Sequence, residues 1–464
     1  MNIRTLQSDP VSLAAKVPVL VPARIIEIEL GQPLPAIRAF DARTGRYYQR
    51  ALFVVRLHTQ PLGIVEFQFD KVEISGHEYC GLVWDTLSTK INEHLRQDGL
   101  SPILELDAEG LPGSGKPWCI EERDQFKENA PYVSVIVPTH NRPDRLQACL
   151  RSLLALQYPR YEIIIVDNAP STSATREYIE QTCHKMQQVR YVREDRPGVS
   201  WARNRGMMMA RGEILAFTDD DVVVDPYWLI ELVRGFSRAN NVACVTGYNL
   251  PLELETPAQF WYEEYGGAYW FQENGGTTWG FTRCIFDLKE YHPRTALFPY
   301  RAGIFGCGAS MAFRAAFLRS VNGFDPSLGG NGPARCSQDI AVFFQVITRG
   351  YTLVFEPASL VYHLHRRTYS ELQKQIYNYG VGLTAYLTKS FLDNPRLLFD
   401  FIAQLVYAPS LLLRTHSPHR RKSALYPKEL IRAKRKGMLY GPLAYVQSRR
   451  MMQKVSRAIA PSDA

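Results

Sequence analysis

Ile214-Leu215-Ala216-Phe217-Thr218-Asp219-Asp220-Asp221 is an apolar run that ends in three consecutive carboxylates. The run is short and unbroken, which is how a strand buried on both faces reads. Acids at its exit stand where an open α/β sheet places its ligands, beyond the carboxyl ends of the strands. Three adjacent carboxylates repel one another, and burying them uncompensated is costly. A divalent cation relieves that cost, and oxygen ligands suit Mg²⁺ or Mn²⁺. The rival reading is an acidic turn into a helix, with Asp225 as N-cap and Pro226 as first helical residue. It accounts for Asp225 and leaves the triplet unexplained.

Working outward, strand and helix alternate around this stretch. Val133-Ser134-Val135-Ile136-Val137 is a strand that stops at Pro138-Thr139-His140-Asn141. A helix follows, with Leu146, Leu150, Leu153 and Leu154 on one face. Tyr161 to Val166 is a second buried strand and ends in Asp167-Asn168. A helix from Thr172 to Met186, a short strand Val189 to Val192 and a helix opened by Gly198 come next. The alternation implies a parallel α/β sheet with Thr139, Asp167 and Asp219 along one edge.

This ordered set resembles family 2 glycosyltransferases of GT-A fold. The resemblance rests on Val135-Ile136-Val137-Pro138-Thr139-His140-Asn141-Arg142, Ile165-Val166-Asp167-Asn168, Ala202-Arg203-Asn204-Arg205-Gly206 and the Asp219 triplet. Gly323-Phe324-Asp325, Gln338-Asp339 and His363-Leu364-His365 continue it in order, so that it spans about residues 131 to 370. It implies a Rossmann-like, mostly parallel sheet with helices on both faces. It also implies a nucleotide-sugar site built from Pro138, Thr139, Asn141, Arg142, Asp167, Arg203, Asp219 and Asp220. Asp221 and His363 are then the metal ligands, and the cofactor is a divalent metal, Mg or Mn. Asp339 is the catalytic base of an inverting transfer from a nucleoside-diphosphate sugar to an acceptor hydroxyl, in glycan, polysaccharide or glycolipid assembly.

Each assignment has an ordinary counterpart. Pro138, Thr139 and Asn141 are common turn residues. Asp167 is a possible Asx turn. Arg203 is a possible structural ion pair on a helix face. Asp339 is favoured at a helix start by the dipole, with Ser337 as N-cap. The position beside Asp339 is acidic in the family and is Gln338 here. A nucleotidyltransferase with a similar nucleotide site, or a non-catalytic sugar-nucleotide-binding protein, is the alternative function.

The segment from 251 to 303 is dense in aromatics, among them Phe260, Trp261, Tyr262, Tyr265, Tyr269, Trp270, Phe271, Trp279 and Phe281. Most read as packing, with one or two available as a platform for sugar or lipid. Gly329-Gly330-Asn331-Gly332-Pro333 reads as a loop able to act as a lid. Histidines two apart at 363 and 365 share a face if the strand continues.

At 464 residues and 46% hydrophobic, the chain is long enough for two or three domains. Residues 1–120, with strands at Arg24–Leu30, Ala51–Leu57 and Gly63–Phe69 and a helix at Asp85–Asp98, read as a β-rich accessory domain. Residues 121–130 read as a linker preceded by the turn-rich Leu111–Pro117, 131–370 as the catalytic domain and 371–464 as a helical, basic tail. The eight cysteines form no C-x-x-C pair, which fits free thiols rather than a disulfide framework or a zinc site.

The formal net charge is +8, with much of the excess after Arg366. Leu397 to Leu413 is apolar and precedes His419-Arg420-Arg421-Lys422 and Arg432-Ala433-Lys434-Arg435-Lys436. Such a helix fits the interface of an anionic membrane, or packs on the catalytic domain with its basic face in water. No nucleic-acid-binding module accompanies the basic tail. Met1 to Pro10 lacks the basic-then-apolar pattern of a secretory signal. The partners that the resemblance implies are a nucleotide sugar and a glycan or lipid-linked acceptor, with no nucleic acid; the tail leaves open contact with a membrane surface, and the expected location is the cytoplasm, free or associated with the inner face of the membrane.

Overall fold

The computed structural model describes residues 21–42, 44–111, 116–266, 281–288, 297–414 and 426–459. Met1 to Pro10, Pro112 to Gly115, the aromatics Tyr269, Trp270, Phe271 and Trp279, and the His419–Lys422 cluster lie outside them.

The first strands are Ala23–Glu29, Arg50–Leu57 and Gln60–Gln68. Ala23–Glu29 runs parallel to Arg50–Leu57, which turns back antiparallel into Gln60–Gln68. The helix Gly76–Gln97 lies on this sheet through Tyr79, Val83, Leu87, Ile91 and Leu95, a one-face repeat that meets Phe53, Val55 and Val65. It begins nine residues before the Asp85 start read from the sequence. The reason is a capping box, in which the Ser75 backbone N–H donates to Glu78 Oε2 at 2.8 Å. The stretch read as a linker is largely the helix Trp118–Glu128.

The large sheet runs, edge to edge, Val189–Glu194, Tyr161–Asn168, Val133–Thr139, Ile214–Phe217, Met311–Arg314, Val242–Pro251, Thr352–His363 and Val222–Val224. Cys284–Phe286 also pairs with Thr352–His363. The first four strands are parallel, as the alternation implies. Met311–Arg314 enters antiparallel to both neighbours. Helices cover both faces. Ile136, Ile164 and Val166 point into one core layer, and Val133, Val135, Val137, Ile163 and Ile165 into the other.

Strand order positions the site. From Val133–Thr139 the chain steps outward to Tyr161–Asn168 and Val189–Glu194. It then returns to the other side at Ile214–Phe217. The crevice at such a reversal lies beyond the ends of its two central strands. Those ends carry Thr139 and the Asp219 triplet.

The chain continues into helices Tyr369–Asp393, Arg396–Arg414 and Lys428–Ile459. The first and third touch backbone to backbone: a methyl group on Gly380 would lie 2.1 Å from the Lys434 carbonyl oxygen, and one on Gly437 2.2 Å from that of Tyr377. Among the described residues no helix is long and apolar enough to cross a membrane.

Candidate active site

Thr139 and Asp167 close adjacent parallel strands and pair in register. Thr139 Oγ1 donates to Asp220 Oδ2 at 2.8 Å and ties the first loop to the acidic triplet. Pro138 is the penultimate strand residue, opposite Val166, so the strand extends two residues past Val137. Asn141 stands in the left-handed region at φ 52° and accepts the Ser171 N–H at 3.0 Å. Asp167 is fully buried. Its Oδ2 accepts from the Tyr191 hydroxyl at 2.9 Å, while Oδ1 is buried without a protein partner. Burial outweighs the Tyr191 hydrogen bond and raises its pKa. A buried acceptor without a protein partner has room for one further donor, from water or from a ligand.

The triplet splits by environment. Asp219 accepts from Arg203 Nη2 at 2.9 Å, and that same nitrogen donates to the Gly308 carbonyl at 3.1 Å. Arg203 is almost wholly buried in the helix Val199–Met209, and its Nε and Nη1 have no protein acceptor. Burial and the neighbouring Asp221 charge push Asp220 up to about 6. Asp221 is held well below the ordinary carboxylate range despite burial, chiefly by His363.

His363 Nε2 lies 3.3 Å from Asp221 Oδ1. The cause is a strand not read from the sequence, Val222–Val224, which pairs antiparallel with the end of Thr352–His363 and sets Val222 opposite His363. The β-branched run Val222-Val223-Val224 was its signal. Burial lowers the affinity of His363 for a proton, but Asp221 raises it more, so the imidazole stays above its usual range. Behind it, His365 contacts His363 Nδ1 at 3.0 Å and Glu263 at 2.6 Å.

A basic rim surrounds Asp221. Arg142 Nη1 is 3.7 Å from Asp220 and 3.8 Å from Asp221, and Arg145 Nη1 is 3.4 Å from Asp221. Arg145 was not singled out from the sequence, although it follows Arg142 by three residues at a helix start and so shares its side. Arg366 adds its field at Asp221. Arg367 turns away from this rim to Glu253 at 2.6 Å.

Asp339 opens the helix Gln338–Thr348 and reaches the same place from the far side. A methyl group on Gly308 would lie 2.7 Å from Arg203 Nη2 and 2.8 Å from Asp339 Oδ2. Gly308 is thus the gap across which Asp339 faces the Arg203–Asp219 pair. The Cys307 thiol, pushed up to about 11 by burial first, also feels both Asp339 and Asp219. Residues from both ends of the alternation therefore converge.

Two expectations change. Ser337 occupies the N-cap position but at φ 74° and without a side-chain cap bond; its hydroxyl packs near Cys336 and Gly382 instead. The glycine loop is not a free lid. Gly329 and Gly330 lie against Gly198, Gly332 against Ser448, and the Ala334 N–H donates to Ser448 Oγ at 3.0 Å. Asn204 clamps Phe324 through two backbone bonds of 2.7 and 2.8 Å, a structural role. Phe260 and Trp261 are buried, and Tyr262 packs on His365, as the packing reading held.

The oxygens and nitrogen of Asp219, Asp221 and His363 lie within 4.8 Å of one another. This hard, mostly oxygen donor set fits a divalent cation.

Residues 134–318 match the family described as glycosyl transferase family 2. The glycosyltransferase AglE of Haloferax volcanii is 36% identical over 102 residues, 21% of this chain and 33% of its own length. The O-antigen biosynthesis protein RfbC of Myxococcus xanthus is 37% identical over 151 residues, 32% of this chain and 11% of its own length. The chain thus spans a third or less of these relatives. Among solved structures, the mannosyltransferase PcManGT of Pyrobaculum calidifontis, in complex with GDP-Man and Mn²⁺, is 17% identical with a TM-score of 0.40. The match covers 74% of this chain and 81% of that one.

Proposed function

We propose, from the match of residues 134–318 to the family described as glycosyl transferase family 2, that this protein is an inverting glycosyltransferase acting on a nucleoside-diphosphate sugar. The observation that carries the reading is the approach of Asp339 and Arg203–Asp219 to the two sides of Gly308. Base and ribose lie over Pro138, Thr139 and Asn141, with the open Asp167 oxygen accepting a ring N–H. Asp219 and Arg203 orient the ribose and sugar, and Asp220 holds Thr139 in place. Asp221 and His363, with Asp219, would hold the divalent ion, magnesium or manganese. When bound, that ion supplies Lewis-acid stabilisation of the charge on the departing diphosphate. Arg142, Arg145 and Arg366 add fixed positive charge on the same side.

Asp339 takes the proton of the acceptor hydroxyl as its oxygen bonds to the anomeric carbon. The bond from that carbon to the diphosphate breaks on the opposite face, so configuration inverts. Asp339→Asn is expected to lower transfer at least a hundredfold while calorimetry with a UDP-, GDP- or dTDP-sugar and Mn²⁺ shows unchanged donor affinity. Wild-type turnover in that variant would remove Asp339 from its role.

The acceptor is a glycan or lipid-linked hydroxyl in polysaccharide or glycolipid assembly. The division into an accessory region (1–120), a linker (121–130), a catalytic region (131–370) and a tail (371–464) is part of this reading. So is contact of the tail with an anionic membrane face. Exposed Phe399, Ile402, Leu405 and Val406 on Arg396–Arg414, and exposed Arg432, Arg435 and Lys436 on Lys428–Ile459, support it. Flotation with anionic but not neutral vesicles is expected, weakened by salt; no flotation with either would reject the contact.

A further inference from the structure

His58, His94, Asp98 and Cys119 bring two imidazoles, a carboxylate and a thiol within 4.8 Å of one another, in the N-terminal region and apart from the site above. The two histidines and the aspartate are buried, and the cysteine is half-buried. Three donors crowd one oxygen: His58 Nδ1, His94 Nε2 and Cys119 Sγ lie 2.6, 3.1 and 3.1 Å from Asp98 Oδ2. The two ring nitrogens are 3.2 Å apart. If each donates to Asp98, their N–H groups also face each other, which hydrogen bonding alone serves poorly. A cation at the centre resolves this, because both nitrogens then present lone pairs.

The surroundings hold the four groups in place. Asp98 Oδ1 is occupied by the Cys119 backbone N–H at 3.0 Å, so the carboxylate offers Oδ2 alone. His94 and Asp98 stand one turn apart at the end of the helix Gly76–Gln97. Cys119 opens the helix Trp118–Glu128. His58 comes from the two-residue turn between Arg50–Leu57 and Gln60–Gln68, where both turn residues have positive φ, 53° at His58 and 68° at Thr59. That turn ordinarily takes Asn-Gly, and a β-branched residue there is strained. Glu29 holds it by accepting the His58 and Thr59 N–H groups, each at 2.9 Å, and Arg123 Nη1 donates to Thr59 Oγ1 at 2.7 Å. Strain maintained by so many bonds marks a side chain that must point one way.

We propose that His58, His94, Asp98 and Cys119 form a closed structural zinc site. Two neutral imidazoles, one carboxylate and one thiolate give four ligands of nitrogen, oxygen and sulfur, the mixture and number that suit tetrahedral Zn²⁺. The thiol gives up its proton to solvent on binding, and the two anions then balance the ion's charge. Ligand atoms around zinc stand roughly 3.3 to 3.6 Å apart given the usual bond lengths; the cluster opens by up to roughly 0.8 Å on ligation, most between His58 and Asp98, which stand at 2.6 Å. The site joins the hairpin, one helix end and the next helix start, and so bridges the turn-rich stretch between them. The scattered cysteines had argued against zinc because the sequence offers no cysteine pair; here a single cysteine completes a histidine and aspartate set.

The test uses the full chain carrying Asp221→Asn, which removes the ion proposed for the active site. Metal analysis after dialysis is expected to find one zinc per chain. Cobalt substitution is expected to give tetrahedral d–d bands and a thiolate charge-transfer band. Cys119→Ser, which keeps a hydroxyl for Asp98, is expected to fold, to lose the charge-transfer band and to release zinc at least tenfold more readily to a chelator. Zinc-free Asp221→Asn protein with no cobalt–thiolate band, whose melting temperature is unmoved by zinc or chelator, would overturn the site and leave a hydrogen-bond network only.

Discussion

Asp167 is where burial makes the proposed donor site testable at a single side chain. Its carboxylate sits at a strand end with one oxygen served by Tyr191 and the other open. Burial raises its pKa, so it takes up a proton at a higher pH than an ordinary aspartate does. Only the ionised form offers both oxygens as acceptors to a nucleobase N–H. Donor affinity is therefore expected to fall as the pH is lowered toward that raised pKa, and to stay level above it. Asp167→Asn keeps an acceptor oxygen and removes the titration. Calorimetry of that variant should give weaker binding with a smaller fall at low pH, and an undiminished pH dependence would assign the effect elsewhere. The residue types and their order were legible from Thr139, Asp167, Asp219 and Asp339. Arg145 was not, because a charge on a helix start looks like any solvated one until its neighbour is known.

At the scale of the element, the helix Val199–Met209 carries Arg203 into the site, and Gly198 sets where it begins. Gly198 has φ 130°, and a methyl group on it would lie 2.3 Å from Gly330 Cα. Neither the conformation nor the space admits a side chain. Gly198→Ala is expected to destabilise the protein by about 2–4 kcal/mol from strain and overpacking combined. Donor affinity should fall too, as Arg203 shifts. Thermal unfolding and donor calorimetry check both; an unchanged melting temperature would mean that the Gly329–Gly330 segment yields freely. Strands and helices between residues 133 and 217 were readable because apolar runs and one-face repeats are local. The strand Val222–Val224 was missed because three residues carry too little pattern, and its antiparallel pairing depends on a segment more than a hundred residues away.

At the scale of the whole molecule, buried charge joins the N-terminal sheet to the large one. Arg56 Nη1 bonds Asp225 at 2.6 Å and Glu27 at 3.0 Å, and Arg56 and Asp225 are both buried. Arg123 and Arg234 meet Glu231 nearby, at 3.6 and 3.0 Å. Removing one member strands the other in a poor solvent for ions. Arg56→Met is expected to cost about 3 kcal/mol, since Asp225 loses its cation and the Thr59 carbonyl a donor. Differential scanning calorimetry should show a lower melting temperature; no change would mean that the two sheets are held by other contacts. The same Asp225 was read as a helix N-cap with Pro226 first in the helix; the helix is Trp228–Arg234 with Tyr227 at its N-cap, and Asp225 instead accepts the Tyr227 N–H at 2.8 Å in the turn before it. Its second oxygen and its partner Arg56 belong to the assembled molecule alone.

Alternation of apolar and polar residues is enforced by the pitch of helix and strand, so it is written locally and can be read without coordinates. That is why the α/β class, the strand ends and the acidic exit at Asp219 were available in advance. The facing of Asp339 and Arg203 across Gly308, the pairing of His363 with Asp221 and the meeting of His58, His94, Asp98 and Cys119 depend on contacts between segments far apart in the chain. Long-range packing sets such meetings, and no local periodicity encodes them.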